Sequence, residues 1–510
     1  MIMPKTRFFS FLLAAGISFG LMCRLFLTVQ AEPIDYRALA ENNKLMPVES
    51  NEIAGWPQGP AVSAKSAILV DANTGTVLYE KNVHERLYPA STTKILTAYI
   101  ARQHSALDET VTYSAEAINS INWWEDANIG IRIGESLTME QSLYALMVGS
   151  ANECANAIGE HVSGSIAAFV DLMNQTARVL GCTDSHFVTT NGKHDEDHYT
   201  SAYDLMLIAR RYFDDDLLCK MSSTPRYVMP ESATLSHELI ANSKNNLLPG
   251  KDYAYEYLVG SKTGYTGIAR QSLVSCAEKD GLKLICVVMQ DESPMQFTDT
   301  VSLFNYGFSN FNAVSASEHD TKYSVKKNGS FLAEGNIFGT DAPLLSIDPG
   351  AYVVLPANLS FADIDSTLTY DDLAGSQAAL IHYSYQDHPL GTAPILFSHP
   401  TAVFDFNAVP VESEQTEDAD TTSGSILARL RALLPQGTSS ATVKNSDILL
   451  LDVRRVGIAA GCVAALLLVL FIIYKILHNR RLSRRRQSIV NRRKRHNTII
   501  DFDRYTDNHF

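Results

Sequence analysis

Apolar and polar positions follow distinct patterns along the 510 residues. Behind Pro89, the run Ile95, Leu96, Ala98, Tyr99 and Ile100 has the spacing of a buried helix face, so a helix is predicted to start around Ser91. Val259 to Tyr265 reads as a strand edge. Gln271 to Ala277, the turn Glu278-Lys279-Asp280-Gly281 and Leu282 to Met289 then predict a β-hairpin. Ser201, followed three residues on by Asp204, predicts a capping box at the head of another helix. Past Phe311, short alternating runs at Tyr323 to Asn336, Ala351 to Leu355 and Leu380 to Phe397 predict a small β-rich module over 320–405.

The pattern changes again over 406–455. Glu412 to Ser425 is acidic and rich in Ser and Thr, the composition of a disordered tether. Ile426, Leu427, Leu430, Leu433 and Leu434 form an apolar helical stripe opposite Arg429 and Arg431, suited to a membrane surface. Val456 to Tyr474 is an uncharged apolar run close to the ~20 residues that span a bilayer. It predicts a transmembrane helix over 456–477, followed by a basic cytoplasmic tail over 478–510. At the other end, residues 1–31 carry Lys5 and Arg7, the apolar stretch Phe8 to Cys23, and Val29-Gln30-Ala31, which predict a signal peptide cleaved after Ala31. Arg24 interrupts that pattern and suits an uncleaved anchor instead. Everything between Ala31 and Arg455 is therefore expected outside the cell. The whole chain has a net charge of −14, so with its basic tail set aside the outer part is more acidic still. That acidity argues against nucleic acid or anionic lipid as its partner.

Three short motifs carry the candidate chemistry: Ser91-Thr92-Thr93-Lys94, Ser150-Ala151-Asn152 and Lys262-Thr263-Gly264. A seryl hydroxyl attacks an acyl carbon only with a base in hydrogen-bond reach. Residues three apart share a helix face, which puts the Lys94 amine beside the Ser91 hydroxyl. Bringing a lysine from its reference pKa of ~10.4 to about 7 costs roughly 4 to 5 kcal/mol of differential solvation. Burial and a second cation can supply that, and Lys262 is the candidate cation. Gly264 lets the backbone come close to a bound acyl group.

On these motifs the chain resembles the low-molecular-mass penicillin-binding proteins that act as serine-type D-alanyl-D-alanine carboxypeptidases (peptidase family S11). Ser63 to Gly75 resembles the family's opening hairpin, and His194 to Leu205 and Lys262-Thr263-Gly264-Tyr265-Thr266-Gly267 extend the likeness. The resemblance implies a catalytic domain over 60–311 with the α/β (α+β) fold of penicillin-binding transpeptidases and β-lactamases, a central antiparallel sheet flanked by helices. It also implies that the β-rich module is a second domain without a catalytic part. Ser91 would form an acyl-enzyme with the penultimate D-alanine of a peptidoglycan stem peptide, and Lys94 would accept its proton. Ser150 would relay the proton to the leaving amine, and Asn152 would bind the substrate backbone. Lys262 and Thr263 would bind the terminal carboxylate, and the amides of Ser91 and Tyr265 would form the oxyanion hole. β-Lactams would trap Ser91 covalently. The setting would be a bacterial cell membrane, with one C-terminal span and the catalytic domain outside.

The same three motif types occur in class A β-lactamases. Those carry a deacylating glutamate in an E-x-x-L-N segment, and neither Asp171-Leu172-Met173-Asn174 nor Glu238-Leu239-Ile240-Ala241-Asn242 has that spacing. A long-lived penicilloyl-enzyme is therefore expected. Endopeptidase action on cross-linked peptidoglycan and a catalytically silent binding module are the other readings; the complete set of chemical positions favours the enzyme.

Several other features take plainer readings. Cys23 lies in the signal and Cys462 in the span, which leaves Cys154, Cys182, Cys219, Cys276 and Cys286, an odd number with no zinc spacing. Cys276 and Cys286 loosely face each other across the predicted hairpin, but buried free thiols are expected. Cys154 is expected in a helix core rather than in the site. His194, Asp195, Glu196, Asp197 and His198 are consecutive and cannot all point at one ion, so no metal and no cofactor is expected. Trp123 and Trp124 either flank a substrate groove or pack within a loop, the second being expected.

Overall fold

The alternation of apolar residues along two long hairpin strands decides how the chain divides into layers. The computed structural model describes residues 35–323, 345–370, 373 and 376–397. The predicted signal peptide, most of the Tyr323 to Asn336 run, the tether, the apolar stripe, the membrane span and the basic tail lie outside the described residues. No helix among the described residues is long and apolar enough to cross a membrane.

Helix α1 (Tyr36–Asn43) precedes strands β1 (Ser66–Asp71) and β2 (Val77–Lys81). Next come α2 (Lys94–His104), β3 (Thr110–Thr112), α3 (Ala115–Asn119), β4 (Ser136–Thr138), α4 (Met139–Val148), α5 (Asn152–Ser163), α6 (Ile166–Val179), α7 (Ala202–Tyr212) and α8 (Asp216–Ser222). The chain continues through β5 (Arg226–Met229), β6 (Leu239–Asn242), β7 (Leu258–Thr266), β8 (Arg270–Lys279), β9 (Leu282–Asp291) and α9 (Met295–Asn310). The main sheet has the order β2-β1-β9-β8-β7, antiparallel throughout.

The predicted hairpin is β8 and β9. Its turn tightens to Asp280-Gly281, both at positive φ (51° and 81°), because paired left-handed residues match the twist of the flanking strands. Successive side chains on β9 point to opposite faces. Ile285, Val287 and Met289 join the core beneath α2, α4, α5, α6 and α7, whereas Leu284, Cys286 and Val288 join the core beneath α9. Cys276 is in register with Ile285, and Cys286 with Ser275. The two thiols therefore lie on opposite faces of the sheet, and all five described cysteines are buried and free. The capping box predicted at α7 is half formed. Ser201 Oγ accepts the Asp204 amide at 3.1 Å, but the Asp204 carboxylate turns to the Asp184 amide and the Ser185 hydroxyl, both at 2.7 Å, and ties down that loop instead.

The β-rich part follows as β10 (Phe311–Ser315), α10 (Ala316–His319), β11 (Leu345–Ile347), β12 (Tyr352–Pro356), β13 (Asp365–Thr369), β14 (Gln377–Tyr385) and β15 (His388–Phe397). β10 pairs with β12, and a second sheet runs β11-β15-β14-β13. Val354 of the first sheet and Ile381 and Leu390 of the second are continuous with the α9-side core of the main sheet. Polar ties cross the same boundary: His388 Nε2 meets the Val77 carbonyl at 2.7 Å, and the Tyr352 hydroxyl donates to the Asp71 carboxylate at 3.2 Å.

Phe304 of α9 is fully buried at the centre of this shared core, stacked 5.5 Å from Tyr255 and 6.3 Å from Phe308 between ring centroids. Phe304→Ala is expected to lower stability by about 3 to 5 kcal/mol through lost transfer energy and the cavity left behind, read as a drop in the urea midpoint.

Candidate active site

Ser91 sits on a single 3-10 turn, Ala90–Thr93, and α2 proper starts at Lys94. The turn is tighter than the helix the sequence predicts, and in a 3-10 turn side chains three apart eclipse. Ser91 Oγ and Lys94 Nζ accordingly lie 2.8 Å apart. Two hydroxyls fold back onto the backbone to hold the turn: Thr92 Oγ1 donates to the Pro89 carbonyl at 2.7 Å and Thr93 Oγ1 to the Ala90 carbonyl at 2.8 Å.

Lys94 is wholly buried, and its amine also donates to Asn152 Oδ1 and the Asn191 carbonyl, each at 2.7 Å. Burial first, and the nearby Lys262 charge second, hold its pKa well below the ordinary lysine value. In the neutral amine two hydrogens can serve Asn152 and Asn191, which leaves the lone pair facing Ser91 Oγ. Asn152, expected from the resemblance to bind substrate backbone, thus also orients the lysine.

Ser150 occupies the connection between α4 and α5 at φ 56°, a left-handed conformation that non-glycine residues rarely adopt. The Lys262 amine reaches across from β7 to donate to Ser150 Oγ at 3.0 Å and to the Thr263 carbonyl at 2.7 Å. Burial, reinforced by the Lys244 charge, pushes the Lys262 pKa down to about 7. β7 is an edge strand, so one side of its backbone is free to meet a ligand. Gly264 brings it close to the Ser91 turn: a Cβ there would lie 2.7 Å from the Pro89 carbonyl and 3.2 Å from the Ser91 amide nitrogen.

These residues share one cleft of about 660 Å³, in which Ser91, Asp126, Ser150, Lys262, Thr263 and the half-exposed Tyr265 are wall residues. All eight predicted site residues are brought together around it. Trp123 and Trp124 do not line it. Trp124 is 96% exposed, so ordinary loop packing fails for it too; the following Glu125, Asp126 and Ala127 form the wall. Cys154 is in the helix core, where Tyr113 Oη donates to its sulfur at 3.2 Å.

Some site residues escape the motifs. His198 lies behind the Ser91 turn with Nε2 2.9 Å from Thr93 Oγ1, while its Nδ1 accepts the Val188 amide at 3.0 Å. Burial drops its pKa to about 3, so it is neutral and structural. Gly192, at φ 85°, packs so closely on the turn that a Cβ would fall 1.8 Å from the Ala90 carbonyl oxygen. The Asn191-Gly192 pair is a turn signal in the sequence, the one trace of this contact. Among the described residues no group of three or more His, Cys, Asp or Glu is placed to hold a metal ion.

The sequence profile of the D-alanyl-D-alanine carboxypeptidases, peptidase family S11, matches residues 54–293, the stretch that holds every one of these groups. Over this segment, a little under half of the chain, the protein is similar to that family. Family relatives include D-alanyl-D-alanine carboxypeptidase DacF of Bacillus subtilis, 32% identical over 256 residues, which cover 49% of this chain and 64% of that protein. DacB2 of Mycobacterium tuberculosis is 29% identical over 258 residues, 49% of this chain and 84% of its own length. The chain thus spans somewhat under two thirds of the Bacillus relative and more of the mycobacterial one. The crystal structure of penicillin-binding protein 6B from Escherichia coli shares the fold, with a TM-score of 0.51 at 24% identity over 68% of this chain and 99% of that one.

Gly264→Ala is expected to push β7 off the Ser91 turn and to slow acylation by about 100-fold or more, the scale of losing one oxyanion donor. Stopped-flow acylation by a chromogenic β-lactam measures it, with thermal unfolding as the check that the sheet survives.

Proposed function

We propose that this protein is a serine-type D-alanyl-D-alanine carboxypeptidase that removes the terminal D-alanine from peptidoglycan stem peptides and is acylated by penicillins. The observation that carries the reading is the buried Lys94 amine, 2.8 Å from Ser91 Oγ and oriented by two fixed acceptors. Neutral Lys94 takes the Ser91 proton as Oγ bonds to the penultimate D-alanine carbonyl. Backbone amides at Ser91 and Tyr265 stabilise the oxyanion. Ser150, in contact with Lys262, relays to the departing nitrogen the proton that Lys94 took from Ser91, the C–N bond breaks and D-alanine leaves. Lys262 and Thr263 hold the carboxylate of that leaving residue. Water then hydrolyses the ester and restores Ser91. A β-lactam presents the same acyl-amide to Ser91, but its leaving group stays tethered.

The enzyme is held at the outer face of a bacterial membrane by the apolar run Val456 to Tyr474, with the basic tail inside. This reading is supported by the order of signal, acidic outer part, uncharged run and basic tail in the sequence.

A fluorescent penicillin is expected to label the wild-type protein covalently and to leave Ser91→Ala unlabelled; equal labelling of both would remove Ser91 from its role. Incubation with a stem pentapeptide should release free D-alanine, and faster cleavage of a cross-linked dimer would mark an endopeptidase instead. In a membrane-fractionation experiment the full chain should stay in the pellet after alkaline extraction, and a chain ending before Val456 should appear in the supernatant.

A further inference from the structure

One buried carboxyl group follows directly on Asn152, a hydrogen-bond partner of the Lys94 amine, and the chemistry proposed for the site does not use it. Glu153 follows Asn152 in the first turn of α5 and is fully buried. Its Oε1 accepts the Ile129 amide at 2.8 Å, while the Asn152 amide donates to the Ala127 carbonyl at 2.8 Å. Two adjacent residues thus grip the loop whose Glu125, Asp126 and Ala127 form a cleft wall. The grip on Ile129 needs only an acceptor, and a glutamine oxygen would serve. The second carboxylate oxygen is buried without a well-formed hydrogen bond among the described residues, although the backbone amides of Gly130 and of Glu153 itself favour the charged form; burial makes an ionisable group costly there. The acid is therefore better explained by charge than by the loop contact alone.

The charge it meets is on Lys94. Of the anions acting on that amine, Glu153 is the strongest and Asp126 of the cleft loop the next. Cys154 on its own helix and Tyr113 after β3 also feel the Glu153 charge, and burial raises the pKa of both, keeping them neutral near pH 7. We propose that Glu153 is a positioning residue that acts through Lys94: it is the buried counter-charge to the ammonium that forms when Ser91 is deprotonated, and it clamps the cleft loop beside it.

This inference rests on the reading of Lys94 as the base. Burial, opposed by the Ile129 amide and by the Lys94 charge, lifts the Glu153 pKa from 4.5 to about 7. The counter-charge is therefore present above about pH 7 and lost below it. While present it favours the ammonium form of Lys94, so it holds the acid limb of the acylation profile at higher pH than the lysine alone would give.

The test is the pH dependence of the second-order rate of acylation by a fluorescent penicillin, measured on the full-length wild type, Glu153→Gln and Glu153→Asp. Glu153→Gln keeps an acceptor for Ile129 and removes the charge, so its acid limb should move down by about one pH unit. Glu153→Asp keeps the charge and should keep the limb near the wild-type position, even if a loosened loop lowers the rate. A merely structural role would lower rates in both variants and leave the limb in place, which would overturn the proposal. If Glu153→Gln does not fold, infrared difference spectra of the wild type decide: a buried protonated-carboxyl band should vanish around pH 7, and no such band across that range overturns the proposal. A wild type that penicillin never labels would instead remove the catalytic reading itself.

Discussion

The structure depends on taking one lysine amine out of water and keeping it within reach of a serine hydroxyl. A lone buried ammonium costs several kcal/mol, and Lys94 is shut off from bulk water. Three acceptors replace that water, drawn from the Ser91 turn, from α5 and from the 191–192 turn. The segments that must meet at this amine are far apart in sequence. The helical core on one face of the sheet brings α2 and α5 together, and β7 closes the fourth side with a second buried lysine. The Lys262 charge adds to burial in making the Lys94 amine easier to deprotonate, which is the property a lysine base needs.

Close approach has a cost in the backbone. Ala90 and Ser150, the residues beside and across from Ser91, both have positive φ, at 51° and 56°. Such conformations cost on the order of 1 to 3 kcal/mol each and persist only where the surroundings dictate them. Here the constraints are visible: Gly192 and Gly264 present bare backbone to either side of the Ala90–Ser91 turn, and the Thr92 and Thr93 hydroxyls tie it back on itself. The two glycines act less as flexible joints than as surfaces without side chains.

Much of this was legible in the sequence because the chemistry is local. Ser91 and Lys94 lie one turn apart, Ser150 and Asn152 flank one residue, and Lys262, Thr263 and Gly264 are consecutive on a strand; local spacing fixes how each group presents itself. The β8–β9 hairpin was equally readable, since its turn residues and alternation act over a few positions. What escaped was long-range. His198 behind Thr93, Asn191 against Lys94, and Glu153 beneath the cleft loop are defined by contacts that no spacing encodes. The half-formed cap at α7 shows the same limit: Asp204 has the right distance from Ser201, but partners at Asp184 and Ser185 compete for its carboxylate and hold it.

Sheet alternation explains why the catalytic and β-rich parts are bound so tightly. Each main-sheet strand supplies one set of residues to the helical core and the other to the core under α9, so no strand can shift register without disturbing both. Leu69, Leu78 and Leu284 face the α9 side, where Val354, Ile381 and Leu390 of the β-rich part complete the same cluster. Ile68 and Val70, their neighbours on β1, face the core that buries Lys94's helix. The β-rich sheets therefore bear on the site through the sheet itself: they extend the cluster on the α9 face, opposite the face on which β1 and β9 pack against α7. A part of the chain without a chemical group in the cleft can in this way contribute to the rigidity that keeps the lysine dry.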